Sequence, residues 1–302
     1  MIRPRPMTFL ILTAPLAIAL PAGAAESVSR PTLPGWSLAG EDGAATLWSN
    51  VANLGLDPDP SWYAQFNRSF ADPNSGPNRN GFALSGNGGP FATGLSWSRG
   101  TDVPAWWNLS AGLGLRLDRG LSIGGRFAWQ LPEGAQNNFA TGDLGMTWRP
   151  MSWLGLSAVA WDLGSGERAS TGVQPRVGPA IALRPWEDRI LLGVDWTTPP
   201  GDPTQGKARA SLRLRPAEAV MVRVFGDQDG TVGLGLEIFQ GVAGMGVHGQ
   251  SSATDLAGAP VGILTGRTSP DRAASLGGGP RIAHFKLDGA YPYRSASGFL
   301  AR

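Results

Sequence analysis

The feature that most limits what this chain can fold into is an alternation of apolar and polar residues, repeated in run after run between residues 61 and 267. In 206–215 one face carries Ala208, Ala210, Leu212 and Leu214, and the other Lys207, Arg209, Ser211, Arg213 and Arg215. In 230–239 Val232, Leu234, Leu236 and Ile238 stand against Gly233, Gly235 and Glu237; in 121–130 Leu121, Ile123, Phe127 and Trp129 stand against Ser122, Gly124, Arg126 and Gln130. Strand side chains point to opposite faces in turn, so each run makes a strand with one greasy face and one polar or glycine face. A helix, with its period of 3.6, would smear the same pattern around its circumference.

About fourteen such runs can be marked, at 61–70, 81–86, 91–98, 106–117, 121–130, 139–149, 153–163, 175–184, 188–197, 206–215, 218–226, 230–239, 242–250 and 260–267. Three of them end alike, in Trp148-Arg149-Pro150, Leu183-Arg184-Pro185 and Leu214-Arg215-Pro216, and each time a new run begins within a few residues. This is an internal hairpin repeat. Run 153–163 breaks phase, because Asp162 falls in step with Leu154 and Leu156; a bulge or an earlier strand end is required there.

Alternation is shared by soluble β-sandwiches, whose apolar faces make a core, and by outer-membrane barrels, whose apolar faces meet lipid. The connections favour the barrel. Short links at 86–90, 118–120, 149–152, 184–187, 215–217 and 240–241 alternate with longer ones at 70–80, 99–105, 131–138, 163–174, 198–205 and 251–259; only 227–229, inside Gly226-Asp227-Gln228-Asp229-Gly230, is a short member of the long set. Tight turns on one rim and long loops on the other are the mark of a barrel that crosses a membrane. Trp106, Trp107, Trp129, Trp148, Trp153, Trp186 and Trp196 lie near strand ends, where aromatic girdles meet lipid headgroups.

Residues 1–25 read as a secretory signal: Arg3 and Arg5, an apolar stretch from Met7 to Leu20, then small residues with cleavage near Ala24 or Ala25. The apolar stretch is below the roughly 18 residues a membrane helix needs, and no later segment qualifies. An exported chain without such a helix spans a membrane as a barrel if it spans at all. Residues 26–60, broken by Pro31, Pro34, Pro58 and Pro60, form an irregular N-terminal segment and a candidate lumenal plug; 61–267 form the barrel; 268–302 form a linker and short tail on the periplasmic side. The fold class expected is therefore all-β, a closed antiparallel transmembrane β-barrel of about fourteen strands in the bacterial outer membrane, in contact with its lipid.

Composition excludes several activities. There is no cysteine for a disulfide, a thiolate nucleophile or a Cys-ligated metal, and the two histidines, His248 and His284, lie apart with no acid at ligand spacing. Arginines are scattered rather than clustered as a nucleic-acid footprint would be. Gly201-Asp202-Pro203-Thr204-Gln205-Gly206-Lys207-Ala208 nearly spells a phosphate-binding loop, but Ala208 replaces the magnesium hydroxyl and a strand follows. Gly244-Met245-Gly246-Val247-His248-Gly249 has dinucleotide spacing without a βαβ unit. No catalytic, cofactor or metal residue is assigned, and no cofactor is expected. Arg116, Arg126, Arg209, Arg213, Arg223 and Glu237 fall on inward faces and are the lumen-lining candidates. Two readings remain for the five arginines: an anion-preferring lumen, or, favoured, pairing with Glu237, Asp118 and Asp195 to rigidify a filled barrel.

The stretch Ala44-Ala45-Thr46-Leu47-Trp48-Ser49-Asn50-Val51-Ala52-Asn53-Leu54 resembles the A-T…N-P-A-x-L segment that opens FadL/PorV-like outer-membrane barrels, with Val51 in place of proline. The resemblance implies a fourteen-stranded barrel fronted by a lumen-facing N-terminal portion. After Leu276-Gly277-Gly278-Gly279-Pro280, the run Arg281-Ile282-Ala283-His284-Phe285-Lys286-Leu287-Asp288-Gly289-Ala290-Tyr291-Pro292-Tyr293-Arg294 resembles the first strand of a peptidase S49 domain of the signal peptide peptidase SppA kind. Such domains work with a serine nucleophile and a lysine base. Neither Lys207 nor Lys286 stands in a matching motif, so no catalytic residue carries over, and activity would need an S49 domain that is missing or truncated here. The leading expectation is an anchor or platform for a periplasmic S49-like domain or protein. The alternatives are a FadL-like transporter of small hydrophobic solutes and a soluble periplasmic β-sandwich.

Overall fold

The computed structural model describes residues 30–267 except 32, 34, 58, 68–79, 100–104, 119, 135–136, 166–172, 187–188, 241–242 and 252–260. The signal segment and the tail from 268 onward lie outside the described residues, as do most of the long connections. Fourteen strands follow one another: β1 (Ser61–Asn67), β2 (Asn80–Gly88), β3 (Phe91–Arg99), β4 (Trp106–Asp118), β5 (Leu121–Pro132), β6 (Phe139–Met151), β7 (Leu154–Leu163), β8 (Arg176–Trp186), β9 (Ile190–Thr197), β10 (Lys207–Ala217), β11 (Val220–Asp227), β12 (Val232–Gln240), β13 (Ala243–Ser251) and β14 (Val261–Arg267). Each pairs antiparallel with its neighbour in sequence, and a ladder from Ser61↔Arg267 to Asn67↔Val261 joins β1 to β14, so the single sheet returns on itself as a closed barrel. Among the described residues the rolled sheet is a single one, which leaves no second sheet for a sandwich.

The alternation sets which way each side chain points. Leu144, Leu234 and Val247 are exposed on the outside, while Asp143, Glu237 and His248 on the same strands are buried. The wall is thus apolar outside and polar inside, the reverse of a soluble β-fold.

The three Arg-Pro pairs do not end their strands. The ladders shift register between Trp148 and Met151, between Leu183 and Trp186, and between Leu214 and Ala217, so each pair sits in a bulge and the strand continues to the turn. Proline has no N–H for the ladder, and a bulge removes the need for one. The preceding arginine keeps its backbone bond: the N–H groups of Arg149, Arg184 and Arg215 donate to Gly120, Trp153 and Arg189 carbonyls at 2.7, 2.8 and 2.7 Å.

The phase break at Asp162 is also a bulge. Pairing passes from Gly142↔Leu163 to Leu144↔Ala160, and Asp162 takes φ 52°, a left-handed conformation. The extra residue turns Asp162 from the apolar outer face into the interior, where it is fully buried, and Trp161 also points inward, its Nε1 donating to Ser49 O at 2.7 Å.

An eight-stranded barrel is filled by its own side chains, and barrels of sixteen or more leave a channel. The fourteen strands here enclose space that residues 30–57 occupy. This segment makes two short 3-10 turns, Ala44–Trp48 and Val51–Gly55, and buries Leu47, Trp48, Val51 and Leu54 against the inner wall. Glycines make room for it. A Cβ on Gly114 would stand 2.5 Å from Gly55 N, and one on Gly124 would stand 2.7 Å from Ala52 N, so only a bare backbone admits the second turn this close.

Candidate functional site

The site is the interface between the N-terminal segment and the inner wall, and charge organises it. Near the tight-turn rim, four arginines from four strands converge on Glu41 and Asp42. Arg213 of β10 and Arg223 of β11 stand directly opposite each other in the ladder. Like charges facing across strands repel; Glu41 lies between them, with Oε2 2.8 Å from Arg213 Nη1 and Oε1 2.5 Å from Arg223 Nη1. Arg223 Nε reaches Glu237 Oε1 of β12 at 2.6 Å, and His248 Nε2 of β13 lies 3.1 Å from that same oxygen. Asp42 bridges the next pair, with Oδ1 2.7 Å from Arg149 Nη2 of β6 and Oδ2 3.7 Å from Arg184 Nη2 of β8.

The two acids respond differently to similar company. Burial raises the Glu41 pKa, but Arg223 and Arg213, both close, outweigh it and hold Glu41 below the ordinary range. Burial raises Asp42 too, and with one of its two arginines more distant, burial wins and Asp42 is held above its ordinary value. The same arginines bind main chain: Arg149 donates to Ala39 O and Glu41 O at 3.3 Å each, Arg184 to Gly40 O, and Arg223 to Gly35 O at 3.4 Å.

A second cluster holds the start of the segment near the long-loop rim. Arg30 pairs with Asp143 of β6 and with Asp162 of the bulge, the latter at 3.4 Å, donates to Trp48 O at 3.2 Å, and lies 4.9 Å from the Trp161 ring centre. Asp143 also binds Arg126 of β5 at 2.5 Å and accepts the Asp162 backbone N–H at 2.9 Å. Burial would lower the Arg30 pKa; Asp143 and Asp162 outweigh it and raise it.

Between the clusters is a neutral hub. Asn50 Nδ2 donates to Leu38 O at 3.0 Å and to Thr147 Oγ1 at 2.8 Å; Thr147 Oγ1 donates to Asn53 Oδ1 at 2.7 Å; Asn53 Nδ2 returns to Leu38 O at 3.0 Å. Asn50 also caps the second 3-10 turn, accepting from Ala52 N at 3.2 Å. The Asn50-to-Leu54 stretch that carries the sequence resemblance is therefore the part most closely fitted to the wall.

Of the predicted lumen residues, Arg126, Arg213, Arg223 and Glu237 are buried on the inner face as expected from their phase. Arg209 is half-buried nearer the long-loop rim with its guanidinium 5.9 Å from the Phe225 ring centre, and Arg116 is at the tight-turn end, its Nε donating to Asp118 O at 3.3 Å. Asp195 accepts from Leu38 N at 3.2 Å and from Ser37 Oγ at 3.4 Å, which ties β9 to the N-terminal segment. The acids that meet Arg213 and Arg149 are Glu41 and Asp42, neither of which the alternation could single out.

The tryptophans fall in two bands. Trp107, Trp129 and Trp196 lie toward the long-loop rim and Trp148, Trp153 and Trp186 at the tight-turn rim. Leu121 pairs with Trp148, and Trp129 lies eight residues further along β5; at ~3.3 Å per residue and a tilt of ~40° the bands are roughly 20 Å apart, close to the ~25 Å apolar band of such barrels. Trp106 does not belong to a girdle. It is 2 % exposed and faces inward, its Nε1 donating to Gln130 Oε1 at 2.8 Å; it shares the phase of Asn108 and Ser110, which the sequence pattern already carried.

A cavity of about 130 Å³ remains above the segment, lined by Arg30, Trp36, Trp48, Trp161, Arg176 and Arg209 among others. That is roughly ten times what one water molecule requires. Thr197, Lys207 and Asp227, at strand ends beside the long connections, complete its rim. Its walls combine three indoles with several cationic groups. The loop that nearly spelled a phosphate site is an exposed 3-10 turn, Pro203–Gln205, and Lys207 pairs with Asp229 at 2.5 Å.

No protein-family model matches the chain, and no curated protein matches it. Solved structures of similar fold include a mutant porin of Rh. blastica, 10% identical, covering 68% of this chain and 98% of that one with a TM-score of 0.41. Omp33 of Acinetobacter baumannii is 8% identical, covering 70% of this chain and 99% of that one at 0.47. A mutant of TodX, a monoaromatic hydrocarbon channel, is 13% identical, covering 77% of this chain and 97% of that one at 0.48. All three are outer-membrane proteins or channels by description, and the likeness is one of fold.

Proposed function

We propose that this chain is a bacterial outer-membrane β-barrel, exported by its N-terminal signal, whose lumen is shut by residues 30–57 and whose long-loop mouth admits small hydrophobic or amphipathic solutes. The observation that carries this reading is the mouth cavity, where Trp36 and Trp48 of the blocking segment meet Trp161, Arg176, Lys207 and Arg209 of the barrel wall. Indoles offer apolar area and the cations orient a polar end, as in small-molecule sites generally. Passage then requires the segment to shift. The reading is tested by uptake of a radiolabelled aromatic hydrocarbon and its carboxylate into proteoliposomes. Replacing Trp161 and Arg209 with Ala should slow uptake of the carboxylate several-fold; uptake no faster than in protein-free liposomes would overturn it.

The second reading, an anchor or platform for a periplasmic S49-like domain, draws support from the density of buried ion pairs on Glu41 and Asp42, since a permanently filled barrel is a stiff support. It expects no solute uptake at all.

A further inference from the structure

The four arginines around Glu41 and Asp42 do more than hold a plug. A structural pin needs one good pair; here guanidinium groups from β6, β8, β10 and β11 crowd one level of the lumen, with Arg213 and Arg223 face to face in the ladder. N–H groups of Arg149, Arg184 and Arg223 also reach the carbonyls of Gly35, Ala39, Gly40 and Glu41, all oxygen acceptors, while the Arg223 guanidinium lies 4.8 Å from the Trp36 ring centre. Arginine's planar fork matches carboxylate and phosphate oxygens, and rings of arginine are how protein pores select anions.

We propose that this collar is an oxyanion-binding, anion-selecting constriction, and that Glu41 and Asp42 occupy it as an internal stand-in for the anionic group of a passing solute. When the segment moves, two carboxylates leave, and the arginines are offered to the next oxyanion of small size, carboxylate or phosphate. The segment is then released by competition: an anion that binds the collar lowers the cost of moving Glu41 and Asp42 away from it. The conductance part of the proposal rests on the barrel spanning a membrane; the competition part does not.

Two measurements on the full chain test it. In planar bilayers under a KCl gradient, the E41Q/D42N variant should conduct more than the unsubstituted protein. Its reversal potential should show a several-fold preference for chloride over potassium, and millimolar inorganic phosphate at constant ionic strength should reduce the chloride current. Adding R149S and R213S to that variant should abolish the preference. A cation-preferring or unselective current, or one indifferent to phosphate, overturns the proposal. In detergent, the chain, which has no cysteine of its own, is given one by A45C on the segment. Maleimide labelling of this site, buried at rest, should accelerate several-fold with inorganic phosphate relative to chloride at equal ionic strength, and an unchanged rate overturns the proposal even if the E41Q/D42N variant fails to fold. Phosphate-dependent labelling without conductance in any variant would instead remove the membrane-spanning reading and leave the collar as an oxyanion site.

Discussion

Glu41 is the residue on which most depends, because it separates two arginines that the ladder forces to face each other. Breaking a buried ion pair from one side leaves uncompensated charge, at roughly 3 to 5 kcal/mol. Glu41→Gln should therefore lower stability at neutral pH by that order, read as a fall in the temperature at which heat-modifiable gel migration is lost. The pH dependence has a definite sign. Glu41 is held below its ordinary value of 4.5, so its stabilisation is complete above that value and is lost as pH falls through the lower folded-state value. The gap between the two proteins should close in acid; a gap that widens below pH 4.5 would be inconsistent with the pairing. Asp42, raised by burial, has the opposite sign, since its folded state holds the proton more tightly, and Asp42→Asn should destabilise less than Glu41→Gln at neutral pH.

At the scale of elements, the closest fit is between the second 3-10 turn and the glycines of β4, β5 and β6. Gly124 faces inward, where a side chain would collide with the backbone of Ala52; its neighbour Gly125 faces outward, where the nearest atom to a new Cβ is 3.6 Å away. Gly124→Val should displace the segment and expose it to protease in detergent, while Gly125→Val should leave the digestion pattern unchanged. Equal sensitivity of the two would place the turn somewhere other than against β5. The strands themselves were legible because period two is written locally, and the bulge at Asp162 was legible as a break in that period. The Arg-Pro pairs were visible as turn markers, yet their place inside bulges followed from register, which depends on the partner strand. What the sequence could not reveal is the pairing across the lumen. Glu41 meets Arg213 at a separation of 172 residues, and Arg30 meets Asp162 at 132, contacts that exist only once the barrel has closed around the segment. Trp106 was readable from phase, since it alternates with Trp107, but position at a strand end was the stronger cue and pointed the wrong way.

The whole molecule combines an apolar exterior, two tryptophan bands and an interior occupied by the chain's own N-terminal segment. The bands should appear as depth-dependent quenching of tryptophan fluorescence by brominated lipids, weaker from brominated mid-chain positions than from positions near the headgroup, and diminished by Trp186→Phe, whose ring is 63% exposed at the tight-turn rim. Quenching strongest at mid-chain would contradict the banding. The central claim is that a membrane-spanning barrel of fourteen strands is shut by residues 30–57. Single-channel conductance in planar bilayers, comparing the unsubstituted protein with a deletion of 30–57, addresses it most directly. The intact chain should give rare or no steps and the deletion frequent, larger ones; identical conductance from the two proteins would contradict a barrel shut by this segment.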